Sequence, residues 1–280
     1  SATAEIDPSN VTSIVAALIA AQRNPELSWD PSSVTVESLQ ERWDQIDGWE
    51  DTRDFDDSAR GLIAPLPDGG KVITPEGWPV WDLSRFDFLH EHDEAPDTVN
   101  PSLWRQMKLT VQGGLYEIVP GLYQVRTLDL SNITFAEGPD GIVAFDPLIS
   151  AETAAAALHL FREHRGNDKP VVAVVYSHSH VDHYGGARGI VDEEDVKAGK
   201  VRVIAPEGFL EAAVSENVLA GNVMSRRASY MYGSLLPADP RGQVGAGLGV
   251  TTSLGKIGLI PPTEHVTETG QRLNIAGLDF

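Results

Sequence analysis

Three histidines and one aspartate lie close together in the middle of the chain, in a run that is dense in groups able to bind a metal ion. They are His178, His180, Asp182 and His183, and the protein has only 8 histidines in 280 residues. Neutral imidazole nitrogens and carboxylate oxygens are ligands that suit zinc and similar divalent metals. The run therefore predicts a metal site, in which we also assign a catalytic role to Asp182.

The segment before this run predicts how its side chains are positioned. Residues 170–176 are apolar and mostly β-branched, which is typical of a buried parallel strand. Open α/β sheets place their sites at the C-terminal ends of such strands. Because His178 and His180 are two residues apart, an extended backbone directs both imidazoles to one side, toward one metal. Asp182 and His183 follow where the chain must turn, and they are predicted to reach a second metal.

Two simpler explanations of the histidine run remain open. The histidines could hold a single structural zinc, or they could only form hydrogen bonds in the turn. Structural zinc sites are usually closed and often use cysteine, and this chain has no cysteine. A water held between two metals, by contrast, loses a proton near neutral pH and can attack an electrophile. We therefore favour a catalytic site with two metals.

The pattern His-x-His-x-Asp-His after an apolar strand resembles the metallo-β-lactamase superfamily. A second match is residues 141–147, where a strand ends in Asp146, an acidic residue that the resemblance places beneath the metals. Asp146 is equally suited to the turn or helix cap before Ser150, and the two roles are compatible. The resemblance implies an α/β fold, namely a metallo-β-lactamase-like four-layer αββα sandwich that is present here only in part.

Other segments resemble the alkyl sulfatases of this superfamily. They include residues 100–106, 129–135, 216–227 and 230–233, and the similarity extends from about residue 54 to the end of the chain. The resemblance implies hydrolysis of alkyl sulfate esters to an alcohol and inorganic sulfate by a metal-bound hydroxide. It also implies two Zn²⁺ as cofactors. In this assignment the first two histidines of the run hold one zinc, and the aspartate and third histidine hold the other.

Several alternatives to an alkyl sulfatase stay open, because one fold hosts many reactions. The protein could be another hydrolase of the superfamily, such as a lactonase or thioesterase, or an inactive metal-binding fragment. The resembled family takes further ligands from later in the chain. The only later histidine here is His265, which we expect, with Glu264, in a surface loop. We expect the missing ligands from the remainder of the same polypeptide after Phe280, and a homodimer in the full-length protein.

Candidates for contacts with the sulfate group follow a predicted helix over residues 206–220. Arg226 and Arg227 carry guanidinium groups, which suit a tetrahedral oxyanion. Asn222 and Tyr232 are candidates to line the same cleft. Surface ion pairs would explain the arginines equally well, and buried packing would explain the tyrosine.

Composition limits the partners of the protein. The net charge is −20, with 41 acidic against 21 basic residues, which argues against binding to nucleic acid or an anionic membrane surface. No apolar run is long enough to predict a membrane span. At 41% hydrophobic residues the chain can form a sizeable core. Neither the missing cysteines nor the N-terminal residues decide between a cytoplasmic and an exported protein.

The remaining pattern divides the chain into two predicted parts. Residues 1–113 are predicted to form a helical and irregular arm that packs on the catalytic domain. Residues 114–280 are predicted to form the first part of that domain. In the arm we predict a hairpin around Pro75, with Trp78 and Trp81 as packing anchors. Predicted helices span 11–21, 36–45 and 151–163, and predicted strands span 115–119, 122–127, 132–136, 141–145 and 201–205.

Overall fold

The computed structural model describes residues 51–166 and 168–280, and one mixed sheet of eight strands is its central element. In spatial order the strands are β1 (Leu62–Pro65), β4 (Gly114–Val119), β5 (Leu122–Arg126), β6 (Ile133–Glu137), β7 (Ile142–Phe145), β8 (Val171–Val175), β9 (Arg202–Pro206) and β10 (Glu264–Val266). Pairing is antiparallel from β1 to β7 and parallel from β7 to β10. The α/β prediction is thereby confirmed.

Two small ribbons and a set of helices complete the described residues. The ribbons are β2 (Lys71–Ile73) with β3 (Pro79–Asp82), and β11 (Asn274–Ile275) with β12 (Leu278–Asp279). The helices are α1 (Arg53–Ala59), α2 (Pro101–Thr110), α3 (Ala151–Arg165), α4 (Glu193–Lys197), α5 (Phe209–Val214) and α6 (Gly221–Tyr232). Within these residues, no helix is both long and apolar enough to cross a membrane.

Helix α3 links the antiparallel and parallel parts of the sheet, and its sequence explains its limits. It begins after Ser150, whose Oγ accepts a hydrogen bond from the Thr153 N–H, as an N-cap residue does. It ends at Gly166, which adopts the left-handed conformation that favours glycine (φ 58°). Between these caps, small and apolar residues face the sheet, and the ring of Phe161 lies 4.7 Å from that of Phe135.

Both faces of the parallel strands are covered, which accounts for their unbroken apolar sequences. On one face Ile142 and Val174 pack in the main core together with α3. On the other face Val143 and Ile204 pack against Ile275 of the β11–β12 ribbon. Strand β8 is therefore packed on both faces, and this packing holds its C-terminal end, where the histidine run begins.

Several predicted elements are confirmed, and three details are wrong. The strands between residues 114 and 145, helix α3 and strands β8 and β9 lie within two residues of their predicted bounds. The predicted helix over 206–220 is shorter, because α5 is followed by a π-helical turn and α6 is a separate helix. Trp81 is buried, but Trp78 lies outside a strand and is 73% exposed. Glu264 and His265 belong to β10, whose pairing with β9 makes them strand residues.

The structure leaves the two N-terminal helices and the domain boundary untested. The helices predicted over 11–21 and 36–45 lie outside the described residues. The predicted boundary at residue 113 stays a prediction. Residues 62–65 of the predicted arm form edge strand β1, which pairs with β4. This pairing ties part of the arm directly to the sheet that carries the histidine run.

Candidate active site

Asp146 and Ser177 join the ends of the two strands that position the site. Asp146 follows β7, and Ser177 lies two residues beyond the end of β8. The Ser177 N–H and hydroxyl each donate to Asp146, to Oδ1 and Oδ2 respectively, both at 2.8 Å. Asp146 adopts φ 53°, a conformation that is uncommon outside glycine. Ser150 is the N-cap of α3, and Asp146 belongs to the preceding turn, where its backbone carbonyl accepts from the Leu148 N–H at 2.8 Å.

The turn that follows the histidines depends on close backbone packing. Residues 181–183 form one 3-10 turn, and the Gly186 N–H donates to the Leu148 carbonyl at 3.0 Å. A Cβ atom on Gly186 would lie 2.1 Å from the Pro147 carbonyl oxygen, and one on Gly185 would lie 2.3 Å from that of Ile149. Only glycine fits so close to another backbone. The loop after β7 and the histidine turn are thus locked together.

The structure brings the four predicted ligands together. The ring centroids of His178 and His183 are 4.1 Å apart, and those of His178 and His180 are 4.7 Å apart. Asp182 Oδ2 lies 3.1 Å from His183 Nε2. Burial, followed by the nearby imidazoles, lowers the pKa of His178. A neutral imidazole has a lone pair available for a metal.

Two carboxylates flank His183 and stabilise positive charge there. Asp146 Oδ2 is 3.0 Å from its Nδ1, opposite the contact with Asp182. Burial by itself lowers the pKa of His183, but Asp146 and Asp182 together raise it to about 9. Burial raises the pKa of Asp182, yet its contacts with His183 outweigh that effect and hold the pKa below its ordinary value. The same negative surroundings that favour a proton favour a bound cation.

The donor set fits a divalent metal in its chemistry, although the donors pair with one another here. In residues 51–166 and 168–280, no three His, Cys, Asp or Glu side chains are arranged as a group that could hold a metal ion. His180 Nε2 instead lies 3.4 Å from Glu216 Oε1. Nδ1 of His183 is buried and faces Asp146 Oδ2 at 3.0 Å. Three imidazoles and adjacent carboxylates suit a metal, and its binding requires the contacts of His180 with Glu216 and of His183 with Asp182 to open.

A cavity of about 510 Å³ adjoins the histidine turn. His180, Asp182 and His183 belong to its lining. Apolar side chains form another part of the wall, namely Leu130, Ile149, Met224, Met231 and Leu248. The cavity thus combines an ionisable end with an apolar surface, which suits an amphiphilic substrate.

Helix α6 supplies several of the polar side chains on this cavity. Arg227 and Tyr232 line it, and burial raises the pKa of Tyr232, so its hydroxyl stays protonated. Asn222 and Arg226 lie on the same helix but are not among the lining residues. Asn217, which the sequence interpretation did not single out, also lines the cavity, and its side chain donates to the Ala213 carbonyl at 3.0 Å. Adjacent helical residues point about 100° apart, so sequence alone cannot choose between the two arginines.

Glu216 is a further ionisable residue that the sequence interpretation did not assign. It is the second residue of the π-helical turn after α5 and reaches His180 from 36 positions along the chain. A contact at that separation depends on how α5 docks beside the histidine turn. No local spacing pattern could have revealed it.

Comparisons with known proteins identify relatives in sequence and in fold. A linear primary-alkylsulfatase from Pseudomonas sp is 59% identical over 83% of this chain and 34% of its own length. An (R)-specific secondary-alkylsulfatase from Pseudomonas sp is 50% identical over 82% of this chain and 34% of its own length. The structure of the stereoselective inverting sec-alkylsulfatase Pisa1 from Pseudomonas sp. matches with a TM-score of 0.82 and 46% identity, over 90% of this chain and 38% of that one.

The extent of these matches defines what the similarity covers. The chain spans about a third of the length of the curated relatives it matches (34%). The family profile of the metallo-β-lactamase superfamily matches residues 126–272, which include both strands of the site and the whole histidine run. Metal ions are implied by membership of that superfamily. Because the profile covers more than half of the sequence and the fold agrees, the chain belongs to the metallo-β-lactamase superfamily.

Proposed function

We propose that the full-length protein hydrolyses alkyl sulfate esters to an alcohol and inorganic sulfate, with two zinc ions as cofactors. The observation that carries the proposal is the cavity, where three predicted metal ligands and an arginine share one space with an apolar wall. The high identity to proteins named alkylsulfatases supports the same substrate class. A sulfate ester of a long alcohol has a charged end and an apolar end, which match the two parts of the lining.

The four residues of the histidine run are the proposed metal ligands. His178 and His180 would hold one zinc, and Asp182 and His183 the other, with Asp146 supporting the last histidine from below. When bound, such metals lower the pKa of water and neutralise negative charge on the ester. Asp182 stays ionised at neutral pH, since contact with His183 holds its pKa below the ordinary value. We therefore assign Asp182 to ligation and hydrogen-bond acceptance rather than to proton donation.

Helix α6 supplies the proposed contacts to the sulfate group. A guanidinium group donates several hydrogen bonds in a plane and suits a sulfate oxygen pair. Arg227 lines the cavity, and Arg226 and Asn222 lie on the same helix as weaker candidates. Tyr232 would donate from its protonated hydroxyl. These residues supply local positive charge and donors in a protein whose net charge is −20.

The apolar wall is the proposed site for the alkyl chain. Each methylene group moved from water to an apolar surface contributes about 0.8 kcal/mol. A longer chain should therefore bind more tightly until the wall is filled. We retain the prediction that the remainder of the polypeptide completes the ligand set and that the full-length protein forms a homodimer.

A comparison of three substrate classes tests the proposal. Purified full-length protein would be assayed with dodecyl sulfate, a long-chain lactone and a thioester under the same metal conditions. We expect release of inorganic sulfate with a kcat/KM at least about 100-fold above that for the other two, because only the sulfate ester presents the anion that Arg227 would bind. Preferential opening of the lactone or cleavage of the thioester would contradict the proposal and favour another hydrolase of the superfamily.

A further inference from the structure

Asp129 is a buried carboxylate that accepts five hydrogen bonds, four of them from distant parts of the chain. The residue is 1% exposed. Its Oδ1 accepts from the N–H groups of Leu130 at 2.8 Å and Ser253 at 3.1 Å. Its Oδ2 accepts from the Ile149 N–H at 3.2 Å, the Thr153 hydroxyl at 2.8 Å and the Ser253 hydroxyl at 2.6 Å. One side chain thus ties together segments that lie up to 124 positions apart.

None of these five donors is a charged side chain. Burial of a carboxylate without a cation beside it costs free energy, and hydrogen bonds to the charged form offset that cost. Burial raises the pKa of Asp129, while its bonds to Ser253, Leu130 and Thr153 oppose the shift. A carboxylate in this position is stable only while its donors stay in place. The donors are in turn held by the carboxylate.

The three segments that meet at Asp129 each contribute to the cavity beside the histidine turn. Leu130 and Ile149 line that cavity and donate to Asp129 through their own backbone N–H groups. Thr252, which precedes Ser253, lines it as well. Three pieces of one wall therefore share a single anchor. A wall made from separate loops needs such an anchor to keep a defined shape.

Asp129 is also connected to the segments that carry the predicted metal ligands, through Ser131 and through Ile149. Ser131, two residues after Asp129, donates from its hydroxyl to the backbone carbonyl of Asp182. Ile149 follows Leu148, which adopts φ 61°, a conformation that is strained outside glycine. Such strain persists only when neighbouring bonds fix the backbone. The bond from Ile149 to Asp129 fixes one end of this loop, and the bonds from Ser177 to Asp146 fix the other.

We infer that Asp129 is a positioning residue that fixes the wall of the substrate cavity and thereby sets its selectivity for alkyl chains. The inference rests on the proposed function for the identity of the substrate. Its structural part, the anchoring of three wall segments by one carboxylate, stands on the contacts alone. Asp129 itself does not line the cavity, and none of its hydrogen bonds goes to a predicted metal ligand.

The test replaces Asp129 in the full-length protein by a residue of the same shape. In Asp129→Asn the amide nitrogen takes the place of one oxygen. If this nitrogen replaces Oδ2, the hydroxyls of Ser253 and Thr153 can rotate and accept a hydrogen bond from it. The backbone N–H of Ile149 can only donate, so it loses its acceptor. We expect amide hydrogen exchange to accelerate at least about 10-fold in peptides covering 128–132, 148–153 and 250–254. Exchange in peptides covering β5 and β6 should stay within twofold.

Catalysis provides the second readout. We expect the ratio of kcat/KM for dodecyl sulfate to that for octyl sulfate to change at least threefold in Asp129→Asn. The metal content per protomer should stay near that of the unmodified protein. A lower kcat with an unchanged ratio would show a role in general stability only and would overturn the inference. Unchanged exchange in all three segments would overturn it as well.

A matched pair at Thr153 keeps the test decisive if Asp129→Asn fails to fold. Thr153→Val keeps the shape and removes the hydroxyl donor, and Thr153→Ser keeps the donor. We expect Thr153→Val to show the faster amide exchange and the changed kcat/KM ratio described for Asp129→Asn. We expect Thr153→Ser to keep the values of the unmodified protein. Equal behaviour of the two variants would contradict the inference. If the unmodified protein releases no sulfate from either ester, the proposed function fails, while exchange still decides whether Asp129 anchors the wall.

Discussion

Ser177 holds Asp146 by two hydrogen bonds of 2.8 Å, one from its backbone N–H and one from its hydroxyl. The pair joins the C-terminal ends of β7 and β8, which are parallel neighbours in the sheet. Asp146 Oδ2 also lies 3.0 Å from Nδ1 of His183. Asp146 therefore links the strand that carries the predicted ligands to the imidazole that follows in the turn. Partners of this kind orient a metal ligand and tune its affinity.

Asp146→Ala should weaken metal binding without unfolding the sheet. Loss of an outer partner of a ligating histidine typically costs about 10–100-fold in metal affinity or activity. We expect that reduction in zinc affinity, measured by competition with a chelator of known affinity. Asp168→Asn, at an exposed position after α3, serves as the control and should bind metal as the unmodified protein does. Equal affinities in both variants would show that Asp146 does not support the site.

Removal of a proposed ligand should abolish bound metal and activity together. His178→Ala and Asp182→Ala each delete one donor, so we expect loss of at least one zinc per protomer by elemental analysis. We also expect a fall in kcat of at least about 1,000-fold, as for the removal of a group on which the chemistry depends. His159→Ala is the matched control, because that histidine is 80% exposed on α3. An active His178→Ala protein without bound metal would contradict the assignment.

Gly186 should tolerate no side chain. Its Cβ would meet the Pro147 carbonyl oxygen at 2.1 Å and that of Ser150 at 2.5 Å, and backbone atoms cannot move aside cheaply. We expect Gly186→Ala to lose at least about 2 kcal/mol of stability, within the range for overpacked sites, and to bind metal poorly. Gly221→Ala is the control, since nothing lies within 4 Å of its Cβ position. Thermal melts that place the two variants at the same Tm would argue against the packing described for the histidine turn.

The two adjacent arginines of α6 should differ in their effect on catalysis. Arg227 lines the cavity and Arg226 does not. A hydrogen bond to a charged group contributes about 1.5–3 kcal/mol, so we expect Arg227→Ala to reduce kcat/KM for dodecyl sulfate by about 10–100-fold. Arg226→Ala should change it by less than about threefold. The reverse order would assign sulfate binding to Arg226, as the sequence interpretation first allowed.

Sequence patterns predicted the parts of this protein that depend on neighbouring residues. The apolar, β-branched run before His178 predicted β8, and the two-residue spacing with His180 placed both rings on one side. The strands between residues 114 and 145 followed from short apolar runs separated by turns. Such signals are local, because a half-buried strand alternates apolar and polar residues and a fully buried strand is apolar throughout.

The remaining features depend on contacts between distant segments. Glu216 meets His180 because α5 docks near the turn, and Asp129 meets Ser253 across 124 positions. Trp78 and Trp81 are equally apolar, yet one lies just before β3 and is exposed, while the other lies within β3 and is buried. The predicted helix over 206–220 ends early because the backbone changes to a π-helical turn at Ser215. No single stretch of sequence contains the information needed to predict these contacts and conformations.

The most direct test of the central claim is the release of inorganic sulfate from dodecyl sulfate by the purified full-length protein, before and after removal of metal by a chelator. We predict that release stops when the metal is removed and returns when Zn²⁺ is added back. The His178→Ala variant should stay inactive under both conditions, while His159→Ala should follow the unmodified protein. Sulfate release that continues at full rate in the demetallated protein would contradict a metal-dependent alkyl sulfatase.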